Sequence, residues 1–247
     1  MNRDDTALAQ ALKTYRIVWP AIVLYIALMM FIELLVIWTG SNGVRNVAAV
    51  IGPAFVAYAA HNVVLRGGAI RGAMIFEHPD PRSLGRFFMR AFLISFLILP
   101  FVILGVFAGP VGSDDTVLLA AILRALVAGA IGAWLVFSLC GTIFPAVMDG
   151  ADASLGAALG RGSFGALWWR LIVGPGAVFG AVTALGLWLG LNHPGTMVPF
   201  SDQGTFSALW VPASILLYAI AAFGTVLLAV MLSRYWLAWK AAGGGAA

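Results

Sequence analysis

Residues 17–38 read IVWPAIVLYIALMMFIELLVIW, and this stretch decides the fold. Glu33 is its only charged residue. A helix of this length, at about 1.5 Å per residue, crosses the roughly 30 Å hydrocarbon core of a bilayer. Backbone N–H and C=O groups find no water there, and a helix bonds all of them within one segment. The stretch therefore predicts a transmembrane helix.

The rest of the chain has the same apolar character. Of its 247 residues, 62% are hydrophobic and only 10% are charged, and its mean hydropathy is +0.99. A soluble domain carries about 25% charged residues, so this composition excludes a water-soluble enzyme fold. The apolar runs do not alternate with polar residues, which tells against a membrane β-barrel. The composition predicts an all-α integral membrane protein.

A hydropathy window of about 19 residues identifies six such stretches. The second is the weakest because it holds Pro53, His61 and Asn62. No connection is long enough to bury a core of its own, so we expect residues 1–247 to form a single integral membrane domain, a polytopic bundle of six transmembrane helices. The predicted spans are residues 17–38, 46–65, 87–108, 117–148, 167–191 and 208–239.

The basic residues indicate how this bundle is oriented. Of the 14 Lys and Arg residues, Arg45 alone falls on one side and Arg124 falls within the fourth span. Cytoplasmic loops carry an excess of Lys and Arg. We therefore expect both termini in the cytoplasm of a bacterial-type inner membrane, and we expect no nucleic-acid partner despite the net charge of +4. The basic residues of the other side are Arg3, Lys13, Arg16, Arg66, Arg71, Arg82, Arg86, Arg90, Arg161, Arg170, Arg234 and Lys240.

Glu33 and Arg124 are charges at matching predicted depths. Glu33 lies five residues from the outer end of the first span, and Arg124 lies seven residues inside the outer end of the fourth. A charge in hydrocarbon costs about 2.5–3.5 kcal/mol, which favours pairing inside the bundle. We therefore expect an intramembrane ion pair, either as a structural pin between two helices or as part of a proton or substrate relay.

His61 and Asn62 are adjacent polar residues near the inner end of the second span. They are candidates for a polar pocket that opens to the cytoplasm, and a hydrogen bond between helices is the alternative. No two histidines have the i, i+4 spacing of a helical metal site, and the single Cys140 cannot form an intramolecular disulfide. We expect no metal and no cofactor.

Small residues recur at four-residue spacing in two spans. Such a face lets helices approach closely, either inside the bundle or against a partner or second copy. The candidate faces consist of Ala121, Ala125, Gly129 and Ala133 in the fourth span, and Gly176, Gly180 and Ala184 in the fifth.

Every predicted span contains one proline. Pro53, Pro100 and Pro175 lie seven or more residues from their span ends, where a proline removes a helical hydrogen bond and can open the helix. Transporters use broken helices to expose backbone to substrate. Proline is also generally common in membrane helices, so both interpretations stay open.

Residues 144–162 read FPAVMDGADASLGAALGRG. A span that ends at Pro145, an acidic turn and a short amphipathic helix together resemble the fourth-to-fifth connection of bacterial six-span inner-membrane proteins of the glycerophosphodiester phosphodiesterase membrane-domain type. The stretch lacks the Ser that those proteins often have where Gly160 and Arg161 stand. The resemblance implies a six-helix inner-membrane fold and carries over no catalytic residue.

The sequence favours a non-enzymatic protein. It has no G-x-S-x-G elbow, no H-E-x-x-H motif and no phosphate-binding glycine loop. We expect a scaffold, assembly factor or accessory subunit that presents helix faces to a membrane protein partner or to a second copy in the lipid bilayer. A membrane enzyme, a less favoured class, requires Asp149 or Asp152 to cluster with His61 and an Arg.

The alternative to a scaffold is a small transporter or channel component with a pocket near the second, third and fifth helices. These two functions require different interiors. A transporter should have a polar, water-accessible cavity that is lined by His61, Asn62 or Glu33. A scaffold requires a dry interior and an exposed groove of small or aromatic residues.

Overall fold

A computed structural model of the chain describes residues 6–39, 42–110, 112, 115–200 and 204–244. These residues form an all-α bundle in which six helices are long and apolar enough to cross a membrane, as predicted. The chain is a multi-pass membrane protein. Its helices are α1 (Ala7–Ile17), α2 (Trp19–Thr39), α3 (Asn42–Leu65), α4 (Ser83–Phe107), α5 (Asp115–Cys140), α6 (Ile143–Met148), α7 (Leu155–Gly160), α8 (Phe164–Leu171), α9 (Ala177–Asn192) and α10 (Trp210–Ala241).

The first span begins at Trp19, close to the predicted residue 17, and a separate helix, α1, precedes it with only Val18 between the two. The Thr6 side chain caps α1 by accepting a hydrogen bond from the backbone N–H of Ala9, at 3.2 Å. Pro20 has no N–H to continue the helical ladder, which accounts for the interruption. The Tyr15 hydroxyl donates to the carbonyl of Ala219 at 3.0 Å, so α1 lies along α10 as an inward continuation of α2.

The predicted fourth span, residues 117–148, is two helices. α5 ends at Cys140, and the buried helix α6 follows a short turn at 141–142. A Cβ atom at Gly141 would lie 2.7 Å from Leu232 Cδ2, so the turn packs directly on α10. Residues 143–148 are all buried in protein and do not extend the transmembrane helix. Hydropathy did not reveal this break, because the apolar run continues through it.

The fifth span opens at Pro175, where one of the three candidate proline breaks occurs. A π-helical turn, Ile172–Gly176, joins α8 to α9. Pro53 and Pro100 instead lie inside the uninterrupted helices α3 and α4. The π turn supplies the wider backbone spacing that a proline needs inside a continuous span.

The centre of the bundle is formed by α3 and α10. In the most apolar window of α3, 61% of the residues are buried inside the protein, and in α10 the share is 44%. The corresponding share is 11% in α5, which packs mainly on α4 and turns large side chains such as Leu126 and Val127 outward. Polar groups on α3 and α10 are therefore the ones best placed to form an internal site.

Most of the described basic residues lie at one end of the bundle, which we call the basic end. Contacts between four segments define it: the start of α1, the connection 66–82, the segment 149–163 and the last turns of α10. Arg234 Nη1 donates to Gln10 Oε1 at 2.9 Å, and the Tyr235 hydroxyl donates to the carbonyl of Arg161 at 2.9 Å. His78 Nε2 lies 2.7 Å from the carbonyl oxygen of Met148, linking the connection to α6.

The close contact of α4 with α5 depends on Gly105. A Cβ atom there would lie 2.6 Å from the carbonyl oxygen of Arg124 and 2.8 Å from the Cα of Ala125, and neither backbone atom can move alone. We expect Gly105→Ala to lower the free energy of unfolding by about 1–3 kcal/mol, measured by denaturation in detergent.

Gly180→Ala is the matched control, because a Cβ atom at Gly180 meets no atom within 4 Å. This variant should be as stable as the parent or more stable by up to about 1 kcal/mol, since alanine favours a helix. Equal stability of the two variants would contradict the close contact.

Candidate functional site

Glu33 lies at a cavity of about 260 Å³ near the end of the bundle opposite the basic end. We call this the Glu33 cavity; its lining includes Tyr25, Glu33, Thr196, Met197, Ser214 and Tyr218. Trp210 Nε1 donates to Glu33 Oε2 at 3.0 Å, and the Tyr218 hydroxyl donates to Glu33 Oε1. Two neutral donors on α10 thus hold the carboxylate of α2 in place.

The predicted ion pair of Glu33 with Arg124 is not formed in the described structure. Arg124 Nη2 instead donates to the carbonyl oxygen of Pro110 at 2.8 Å. Glu33 faces α10, while Arg124 extends past Gly109 to the loop that follows α4. A long Arg side chain near a helix end reaches the interface in this way. Depth fixes only one of the three coordinates of a side chain.

His61 lies at a second cavity, of about 270 Å³, in the basic half of the bundle. We call this the His61 cavity; its lining includes Tyr25, Pro53, His61, Phe87, Ser95 and Thr225. His61 is 1% exposed, and its Nδ1 lies 2.7 Å from Ser233 Oγ on α10. Its ring centre is 5.8 Å from that of Phe87 and 6.2 Å from that of Phe144. The cavity has largely apolar walls and few polar groups.

Asn62 does not line the His61 cavity. Its Nδ2 donates to the carbonyl oxygens of Ile75, at 2.9 Å, and Glu77, at 2.8 Å. Adjacent residues of a helix point about 100° apart, which is why neighbours in sequence take different roles. The predicted pair therefore separates: His61 contributes to a cavity, and Asn62 fastens the connection 66–82 to α3.

Tyr25 separates the two cavities and lines both, together with Ala221. Its ring centre is 5.7 Å from that of Tyr218, and a Cβ atom at Gly52 of α3 would lie 2.7 Å from the Tyr25 ring. Glu33 is eight residues from Tyr25 along α2, about 12 Å, and His61 is nine residues from Gly52 along α3, about 13 Å in the opposite direction. The cavities therefore follow one another through the bundle.

The small residues of α5 pack mainly inside the bundle. A Cβ atom at Gly129 would lie 2.9 Å from Val102 Cγ2 on α4, Ala125 contacts Gly105 as described above, Ala121 is buried and Ala133 is partly buried. In the fifth span, Gly176 contacts the Trp134 ring. Gly180 and Ala184 are exposed on α9, so this part of the predicted face has no cover within the described chain.

Arg161 connects several segments at the basic end, although the sequence indicated for it only a role in orientation. It is 7% exposed, its Nη1 donates to Thr142 Oγ1 at 3.3 Å, and its Nη2 donates to the carbonyl oxygen of Asp152. Its guanidinium lies 4.7 Å from the ring centre of Trp236 and 5.6 Å from that of Trp239. Burial lowers its pKa, while the charge of Asp152 raises it. In the sequence, the acidic turn before Arg161 was the feature that could have indicated this structural role.

Asp149 bonds to the end of α10 next to Arg161. Its Oδ2 accepts hydrogen bonds from Trp236 Nε1 at 3.0 Å and from Lys240 Nζ at 2.6 Å. Hydrogen bonds from the backbone N–H and the hydroxyl of Ser154 lower the pKa of the nearby, exposed Asp152. Asp149 and Asp152 therefore serve the packing of the segment 149–163, away from His61 and its cavity.

Comparison with known proteins identifies no relative of this chain. No protein-family model matches the chain, and no curated protein or solved structure is significantly similar to it. The resemblance of residues 144–162 to the phosphodiesterase membrane domains stays a prediction. The function has to be inferred from the geometry itself.

The hydrogen bonds of Glu33 predict which variants are energetically coupled. In a double-mutant cycle, Glu33→Gln and Arg124→Gln should be additive within about 0.5 kcal/mol, because the two residues share no contact. Glu33→Gln and Tyr218→Phe should be coupled by about 0.5–3 kcal/mol, because the Tyr218 hydroxyl donates to Glu33. Unfolding in detergent measures both cycles. Coupling of Glu33 to Arg124 without coupling to Tyr218 would contradict this prediction and would support the ion pair.

Proposed function

We propose that this protein is a small carrier or channel component of the membrane. The observation that carries the proposal is the alignment of the Glu33 cavity and the His61 cavity on either side of Tyr25. The sequence led us to expect that His61, Asn62 or Glu33 would line a polar cavity in a transporter; Glu33 and His61 line these two cavities, whose walls are more apolar than expected. A scaffold needs neither cavity, so the geometry favours the alternative that the sequence ranked second.

The walls of the two cavities indicate the kind of molecule that would pass. Both walls are largely apolar, with isolated hydrogen-bonding groups such as Ser95, Ser214 and Thr225. In the described part of the chain, no basic side chain pairs with the Glu33 carboxylate. A carboxylate without a basic partner would attract cations and repel anions. The compound that we propose to be transported is therefore a small molecule with an apolar body and a cationic or hydrogen-bond-donating group.

A non-enzymatic role remains part of the proposal, although His61 and Ser233 lie at the distance of a base and a nucleophile. Ser233 is fully buried and is not among the residues that line the His61 cavity. A nucleophile has to reach its substrate. The pair is better explained as a hydrogen bond that joins α3 to α10.

Water access to the cavities tests the transport proposal. In a Cys140→Ser background, Ser214→Cys reports on the Glu33 cavity and Thr225→Cys on the His61 cavity, and both changes preserve side-chain size. A positively charged methanethiosulfonate reagent reacts with thiolate, which forms readily only where water reaches the thiol. We expect both positions to be labelled at least about tenfold faster than lipid-facing cysteines.

Leu216→Cys and Val127→Cys are the lipid-facing controls, because Leu216 is 50% exposed on α10 and Val127 is 60% exposed on α5. If Ser214→Cys and Thr225→Cys react as slowly as these controls, the interior is dry. The transport proposal then fails. The exposed Gly180 and Ala184 face of α9 would in that case favour the docking role.

We also propose the inner membrane of a bacterium as the location, with both termini in the cytoplasm. The clustering of basic residues at one end supports this orientation. A green fluorescent protein fused after residue 244 should fluoresce, and an alkaline phosphatase fused at residue 112 should be active, because the phosphatase folds only in an oxidising compartment. The opposite result for both fusions would invert the orientation.

A further inference from the structure

The basic end contains a cleft of about 870 Å³, which is larger than the Glu33 cavity and the His61 cavity. It lies between α1, the end of α3, α8 and the last turns of α10. We call it the basic cleft; its lining includes Gln10, Leu65, Leu167, Arg170, Met231 and Arg234. It is separate from the two cavities described above, since it shares none of the lining residues named for them.

The described residues that line the basic cleft carry charge of only one sign. Arg170 and Arg234 line it, and none of its described lining residues is acidic. Arg170 makes no hydrogen bond or ion pair with the residues that the structure describes, and Arg234 is held by Gln10 Oε1 at 2.9 Å. A guanidinium group presents several N–H donors that match the oxygens of a phosphate. The cleft is therefore suited to a phosphate group.

The other walls of the basic cleft are apolar. Leu65, Leu167 and Met231 line its interior, and Leu237 and Ala238 lie at the end of α10. Arg170 is six residues from Phe164, where the fifth span begins, and Arg234 is seven residues from the end of α10, which is about 9 and 10 Å. Phosphate-binding groups thus lie near the ends of the helices, next to surfaces that suit hydrocarbon.

We propose that the basic cleft binds an anionic phospholipid of the adjoining leaflet. The lipid phosphate would contact Arg170 and Arg234, and an acyl chain would cover the wall formed by Leu167 and Met231. A free phosphate ion would use only the first of these surfaces. Basic sites between helix ends are the usual places where membrane proteins bind anionic lipids. This inference is independent of the proposed transport function.

Thermal unfolding of the delipidated full chain in detergent tests the site. We expect dioleoylphosphatidylglycerol to raise the midpoint by about 5 °C or more at a concentration about 100 times its Kd. Phosphatidylcholine with the same acyl chains should give less than half of this shift. Inorganic phosphate and glycerol 3-phosphate at equal concentration should give none. Equal shifts from the two lipids, or a full shift from either soluble phosphate, would overturn the proposal.

Variants connect the effect to the cleft. Arg170→Gln should weaken phosphatidylglycerol binding about fivefold, as expected for the loss of one basic contact near an anionic lipid, when Kd is measured by native mass spectrometry. Arg86→Gln is the control, because Arg86 carries the same charge at the same end but is bonded to Asp80 at 3.0 Å outside the cleft. An equal loss in both variants would reduce the effect to general surface charge and would overturn the site.

A second variant tests the space inside the cleft without removing a charge. Ala238 is exposed and lines the cleft four residues beyond Arg234, toward the end of α10, so Ala238→Phe should fill part of the space for the lipid headgroup while leaving the fold intact. We expect weaker phosphatidylglycerol binding with an unchanged midpoint in the absence of lipid. Unchanged lipid binding by both Arg170→Gln and Ala238→Phe would place the lipid elsewhere and would overturn the proposal.

Discussion

Hydrocarbon offers no hydrogen-bond partners, and the rest of this structure depends on that constraint. Several polar side chains inside the bundle are bonded to other helices. Trp210 and Tyr218 of α10 donate to Glu33 of α2, and Ser233 of α10 bonds to His61 of α3. Each of these bonds joins α10 to an earlier helix. The last helix of the chain thus organises the helices formed first, and the two cavities lie along it.

Hydropathy was sufficient to predict the six crossings because it measures what a segment buries in lipid. It does not measure what a segment buries in protein. The wholly buried α6 was therefore merged with α5. This error occurs where protein, and not lipid, surrounds the helix. The break at 141–142 packs on Leu232 of α10, which is a contact between distant parts of the chain.

The candidate residues show the same division. The sequence identified Glu33 and His61 as unusual because polar groups in hydrocarbon are costly, and both line cavities. It could not identify their partners, since Glu33 and Tyr218 are 185 positions apart and His61 and Ser233 are 172 apart. Arg161 was overlooked for the opposite reason. A basic residue at a helix end is expected on grounds of orientation alone, so only the surrounding Trp236 and Trp239 rings reveal its burial.

The π turn at Ile172–Gly176 has a geometric consequence for the fifth span. A π turn inserts one extra residue into the helical ladder, and one residue corresponds to about 100° of rotation. The two halves of the span therefore differ in phase: α8 turns Leu167 and Leu171 into the protein, whereas α9 contains no fully buried residue. A single helical wheel drawn through residues 164–192 would superimpose two unrelated faces. Loss of one residue from the turn would rotate α9 as a unit and bring a different stripe of side chains to face the lipid.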